Sequence, residues 1–125
     1  MLAQNFKAPS DLGVTDIEFE SLVKVLGMLE RAEIDKEFNM KLWLIERGVD
    51  CGTSACIAGW AYLVSGRKAF ADIVKDNQWR DDSSLWELLH PDIRIANAAN
   101  RQSGAIALRN FLTFGHAQWA DAIAQ

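Results

Sequence analysis

The sequence has few of the residues and motifs that usually carry catalysis or membrane insertion. Its 125 residues include two histidines and two cysteines, and the motifs GxGxxG, GxxxxGK[ST], GxSxG and HExxH are absent. No apolar run reaches the roughly 18 to 20 residues that cross a bilayer, and the first residues do not form a signal peptide. We therefore expect a cytoplasmic protein that needs no cofactor and contacts no membrane.

Positive charge is also scarce. The chain carries 13 basic and 17 acidic side chains, and Arg67 and Lys68 are its only adjacent basic pair. Nucleic-acid-binding domains usually present a basic face, so we expect no nucleic-acid partner. Half of the residues are apolar and 24% are charged, a composition that fills one hydrophobic core and excludes a charge-rich disordered chain.

The apolar residues recur with helical spacing over much of the chain. Thr15 and Glu18 form a Thr-x-x-Glu capping box ahead of an apolar stripe, which predicts a helix over residues 15–32. Thr53 or Ser54 would cap a second helix ending near Ser65, and this helix is apolar on all sides, as buried helices are.

Four shorter helices are also predicted, the longest of them starting at Ser103 and ending at Gly115. The other three cover residues 68–75, 83–89 and about 119–123, and the alternation over residues 38–44 indicates a short extended segment. The expected fold is mostly α: a single-domain orthogonal bundle of five or six short helices around the buried central helix, with at most one small strand pair. Residues 1–14 would form an N-terminal arm and residues 15–125 the helical domain.

Several short motifs occur in a fixed order along the chain. They are FNM at residues 38–40, CGTSACIAGWA at 51–61, LLHP at 88–91, and FLTFG at 111–115 followed by Trp119. This order resembles an uncharacterised family of small bacterial and phage proteins, which carry an F-[DN]-M element ahead of a C-G-T-x-A-C-x-[AL]-G-[WH]-A box. The resemblance implies a bacterial or phage origin and a box that defines the fold, but it implies no activity. Trp60 stands where many members have histidine, so chemistry that requires that histidine is not open to this chain.

The two cysteines are the strongest candidates for a catalytic role. Cys51 and Cys56 lie across the predicted start of the central helix, where amides and the helix dipole can lower the pKa of a thiol. The segment also loosely resembles the CGSCW stretch of papain-like proteases, which would make His90 or His116 the activating base. However, no glutamine precedes Cys51 and little strand signal follows residue 66. We favour two buried cysteines that act as small hydrophobes, with a thiol-dependent Cys/His enzyme as the alternative.

A metal site is not expected from these residues. The cysteines have C-x4-C spacing and the histidines are 26 positions apart, whereas structural zinc sites use closer pairs. A disulfide between the cysteines would conflict with a cytoplasmic location.

Five tryptophans are the unusual feature of the composition. Trp79 lies in a polar run with Asp81 and Asp82, and Trp86 follows shortly after. Exposed indoles are favoured anchors of protein interfaces, and acidic neighbours steer towards a basic patch; alternatively, Trp79 covers the edge of the core. We assign Trp79, Asp81, Asp82 and Trp86 as candidate partner-binding residues. The predicted function is a small non-enzymatic binding or regulatory protein, such as a phage or mobile-element inhibitor of a host system.

Overall fold

A computed structural model of the chain describes residues 6–34, 38, 40, 44–46, 53–76 and 83–124, and most of these are helical. In chain order its elements are α1 (Pro9–Leu12), α2 (Asp16–Glu30), β1 (Leu44–Glu46), β2 (Thr53–Ala55), α3 (Ile57–Val64), α4 (Ala71–Val74), α5 (Ser83–Leu89), α6 (Ile93–Ala98), α7 (Arg101–Phe114) and α8 (Trp119–Ile123). The strands pair antiparallel, with Leu44 opposite Ala55. The predicted mostly α class is confirmed, and the helices found beyond the six predicted are α1 and α6.

Helix α2 begins as its sequence predicts. The Glu18 amide donates to Thr15 Oγ1 at 3.2 Å, and the Thr15 amide donates to Glu18 Oε1 at 3.0 Å. Both orphan amides are thereby satisfied inside the chain, which is how a capping box fixes a helix start. Two arginine contacts then tie the end of α2 to α7: Arg101 Nη1 donates to the Leu29 carbonyl at 2.8 Å, and Arg109 forms a bidentate pair with Glu30.

Helix α3 packs against α2 and α4. Ile57, Ala58 and Ala61 are fully buried, which confirms the prediction of a buried core helix. Its predicted start was wrong, because Thr53 and Ser54 belong to β2 and α3 begins only after Cys56. Pairing with β1 keeps these residues extended, and a strand residue cannot serve as the cap of a helix that starts three residues later.

The start of α7 also differs from the prediction. Asn100, not Ser103, is the N-cap: Asn100 Oδ1 accepts from the Ser103 amide at 2.9 Å, while the Asn100 amide donates to Ser103 Oγ at 2.8 Å. Ser103 is therefore the third residue of the helix and completes a capping box. The predicted end is confirmed, since Gly115 adopts the left-handed conformation, φ +86°, that glycine tolerates best.

The segment predicted to be an N-terminal arm contains α1. Leu12 and Val14 are buried, and the Lys7 amide donates to the Leu112 carbonyl at 2.8 Å. The apolar side chains of residues 1–14 follow no helical or alternating period, so the sequence provided little signal for this contact with the end of α7.

The close approach of Phe38 to α7 gives a testable prediction. A methyl group added at Gly104 would lie 2.6 Å from Phe38 Cζ, and Phe38 itself is buried. Overpacking of this kind costs about 1–3 kcal/mol, more than the roughly 1 kcal/mol that alanine gains over glycine in a helix. We expect Gly104→Ala to lower the free energy of unfolding by up to about 2 kcal/mol, measured by urea denaturation followed by circular dichroism.

Gly27 in α2 is the matched control. A methyl group there would meet Arg31 Nη1 at 2.8 Å, but the Arg31 side chain is exposed and can swing away. Gly27→Ala should therefore raise the free energy of unfolding by up to about 1 kcal/mol. Equal effects of the two substitutions would show that Phe38 does not restrict Gly104.

Candidate partner-binding surface

Helix α5 divides its aromatic and aliphatic residues between two sides. Leu85, Leu88 and Leu89 are buried in the core, whereas Trp86 is half-buried. One helical turn after Trp86, the exposed His90 ring stacks on the indole with a centroid distance of 4.9 Å and an interplanar angle of 11°. Residues four apart lie on the same face of a helix, so the His90 ring stacks on Trp86 although His90 follows the last residue of α5. The pair presents a flat aromatic edge that is partly open to solvent.

Helix α6 begins at Ile93, three residues after His90. The Asp92 carboxylate accepts hydrogen bonds from the Arg94 amide at 2.9 Å and the Ile95 amide at 3.1 Å, which fixes the start of the helix. Ile93 is 66% exposed there. We call the half-buried Trp86 and the exposed Glu87, His90 and Ile93, which follow one another along the junction of α5 and α6, the α5–α6 surface.

The predicted partner-binding residues are only partly placed by the structure. Trp86 lies on the α5–α6 surface, while Trp79, Asp81 and Asp82 lie outside the described residues. In the sequence His90 was considered as a candidate base for a cysteine, and Ile93 was not singled out. The four-residue spacing from Trp86 was a usable signal for His90, whereas no local signal shows that an isoleucine in a first helical turn is exposed.

Cys56 does not have the surroundings of a catalytic thiol. It is buried at the start of α3, and this burial raises the pKa of the thiol to about 11, although hydrogen bonding to the Gly59 and Ala58 backbone acts in the opposite direction. A nucleophilic cysteine needs the thiolate at neutral pH. Its proposed partners lie at the surface: both His90 and His116 are exposed, and His116 Nδ1 lies 3.5 Å from Ser84 Oγ. Cys51 lies outside the described residues.

Other motif residues have packing roles. Phe38 of the FNM element contacts α7 at Gly104, and the Trp119 indole donates from Nε1 to the Leu88 carbonyl at 3.2 Å. Trp119 and the LLHP motif thus meet inside the bundle, whereas Phe38 packs against a glycine outside the motifs. In the described ranges no group of three or more histidine, cysteine or acidic side chains could hold a metal ion.

Two hollows open on the surface elsewhere. A groove of about 510 Å³ runs between the start of α7 and α8 and includes Arg101, Ile106 and Ile123. A smaller hollow of about 220 Å³ lies between α1, the start of α5 and the end of α7. None of the helices among the described residues is long and apolar enough to cross a membrane.

In comparisons with known proteins, no family model, no curated protein and no solved structure matches the chain.

Proposed function

We propose that the chain is a small binding or regulatory protein that works through protein–protein contact rather than catalysis. The observation that carries this proposal is the α5–α6 surface, where a half-buried tryptophan stacks on an exposed histidine and an exposed isoleucine follows three residues later. Tryptophan is enriched among the residues that dominate binding energy, because it buries a large area at little cost in side-chain entropy.

The sequence just before α5 extends the same proposal. Trp79, Asp81 and Asp82 come within a few residues of Trp86, and we propose that they contact the same partner. Together with Glu87 these carboxylates favour a partner with a basic patch, since complementary charge accelerates association and excludes wrong partners.

The thiol-enzyme alternative is less well supported. A pKa near 11 leaves the Cys56 sulfur protonated at neutral pH, and burial at the start of α3 keeps substrates away from it. The short motifs favour a setting in a bacterium or phage, and we propose that the protein acts in the cytoplasm as an inhibitor or regulator of a host system.

A matched pair of isoleucines tests the proposed surface. Ile93 and Ile17 both lie in the first turn of a helix and are 66% and 39% exposed. Glutamate is favourable near a helix N-terminus, so neither Ile93→Glu nor Ile17→Glu should impair folding. We expect Ile93→Glu to weaken partner binding by about five- to thirtyfold, equivalent to 1–2 kcal/mol, and Ile17→Glu to leave binding unchanged.

The measurement begins with capture of a partner from a bacterial lysate and its identification by mass spectrometry. Titration calorimetry with the purified partner then compares the wild-type chain with both isoleucine variants and with Trp79→Ala. Equal affinities for wild type and Ile93→Glu would contradict the α5–α6 assignment. Unchanged affinity of Trp79→Ala would remove Trp79 from the surface while leaving the rest of the assignment intact.

A further inference from the structure

The smaller hollow combines opposite charges with an exposed aromatic ring. Lys7, Asp11, Ser84 and His116 supply its polar lining, and Phe114 at the end of α7 stands beside them. Phe114 is 59% exposed, whereas the large apolar residues Leu108, Phe111 and Leu112 of α7 are packed in the core. The hollow is separate from the α5–α6 surface, with only Ser84 of α5 contributing to it.

Lys7 and Asp11 have no charged partner of their own. Within the described ranges neither the Lys7 ammonium nor the Asp11 carboxylate forms an ion pair. Their backbones are nevertheless held in place, because the Lys7 amide donates to the Leu112 carbonyl at 2.8 Å and the Asp11 amide to the Ala8 carbonyl at 3.0 Å. The hollow therefore offers an exposed cation and an exposed anion, four residues apart in sequence, on a backbone that is held in place.

We propose that this face joins two copies of the chain around a twofold axis. In a twofold interface every contact occurs twice: if residue i of one copy contacts residue j of the other, then residue j of the first copy contacts residue i of the second. A patch with one cation, one anion and one exposed aromatic ring is complementary to itself under that symmetry. The Lys7 ammonium of each copy meets the Asp11 carboxylate of the other, and the two Phe114 rings pack at the centre.

Charge reversal tests this pairing directly. Lys7→Glu makes the pair wholly acidic and Asp11→Lys makes it wholly basic, so each variant disrupts both symmetry-related contacts. Each alone should raise the dimer dissociation constant by at least about tenfold, since close interfacial charge pairs couple strongly. An equimolar mixture of the two should form a heterodimer, because every acidic residue of one copy then faces a basic residue of the other.

The control is Lys24→Glu, which makes the same change in net charge at an exposed position of α2. Sedimentation equilibrium over a micromolar to millimolar concentration series gives the dissociation constants, starting from a single-chain mass of 14.0 kDa. Phe114→Ser provides an independent variant that should also weaken the dimer, and circular dichroism checks that each chain is folded.

The expected result is a wild-type and Lys24→Glu dimer, monomeric single reversals, and recovery of the dimer in their mixture. A wild-type chain that keeps its single-chain mass throughout the series would overturn the proposal. This holds even if another protein is found to bind at Phe114, because the proposed occupant is a second copy of the chain. Persistence of the dimer in Lys7→Glu, Asp11→Lys and Phe114→Ser would also overturn it, because the contact would then lie elsewhere.

Discussion

Replacing Trp119 with alanine is expected to lower the free energy of unfolding by about 3–5 kcal/mol, the range found when a large buried aromatic side chain is removed. Trp119 is buried at the first position of α8, so its loss leaves a cavity beneath that helix. Urea denaturation followed by circular dichroism measures the change without relying on tryptophan fluorescence, which the substitution itself alters.

A second variant separates packing from hydrogen bonding. Trp119→Phe keeps an aromatic ring in the site but removes the Nε1 donor that reaches the Leu88 carbonyl at 3.2 Å. Helix α5 ends at Leu89, and carbonyls in the last turn of a helix have no partner within that helix. A buried acceptor left without a partner costs about 1–3 kcal/mol. Trp119→Phe should therefore fall between wild type and Trp119→Ala, and a stability equal to wild type would mean that water or another donor satisfies Leu88.

The same residue shows what a single sequence can reveal. Trp119 lies within an apolar pattern, which is typical of a core residue, and it is indeed buried. Its contact with Leu88, 31 positions earlier, could not be read from the pattern. Phe38 and Gly104 illustrate the same limit, because no local rule pairs an aromatic residue with a glycine 66 positions away in sequence.

Helix boundaries were likewise predictable where neighbouring residues fix them and unpredictable where distant residues do. The start of α2 was predictable because Thr15 and Glu18 satisfy each other's amides within one turn. The start of α3 was not, because residues 53–55 are held extended by pairing with residues 44–46. Asn100 was an intermediate case: asparagine favours both turns and N-caps, and the serine three positions later was the available clue to a cap.

The candidate surface was also predictable only in part, because some of its features depend on how the helices end and pack. Trp86 follows Asp81 and Asp82 by a few residues, and an indole close to acidic residues can be recognised from the sequence alone. His90 belongs with it only because α5 is helical up to Leu89, and the exposure of Ile93 depends on how α6 packs. Cys56 is buried, which agrees with its favoured interpretation as a small hydrophobe: a helix start can activate a thiol, but burial in the core outweighs that effect.

The Cys56 thiol is expected to react with iodoacetamide at least about a hundredfold more slowly in the folded protein than in the unfolded chain. Burial raises its pKa from the ordinary 9.0 to about 11, and each unit lowers the thiolate fraction at neutral pH tenfold. Limited access to the buried sulfur slows the reaction further. A Cys51→Ser variant isolates Cys56, and the same variant in urea supplies the unfolded reference. Rapid alkylation that His90→Ala or His116→Ala abolishes would contradict this expectation and restore the thiol-enzyme alternative.

The raised pKa also makes stability depend on pH in a defined direction. The unfolded chain releases its thiol proton near pH 9 and the folded chain near pH 11, so the folded state holds more protons between these values. The stabilisation is complete below about pH 9 and is lost as pH rises towards 11, by roughly 2–3 kcal/mol in total. The comparison is with Cys56→Ala, which retains every other titratable side chain of the chain. Wild type should lose stability more steeply than Cys56→Ala over this range, because only wild type carries a thiol that must ionise inside the core; parallel curves would mean that Cys56 is accessible to water.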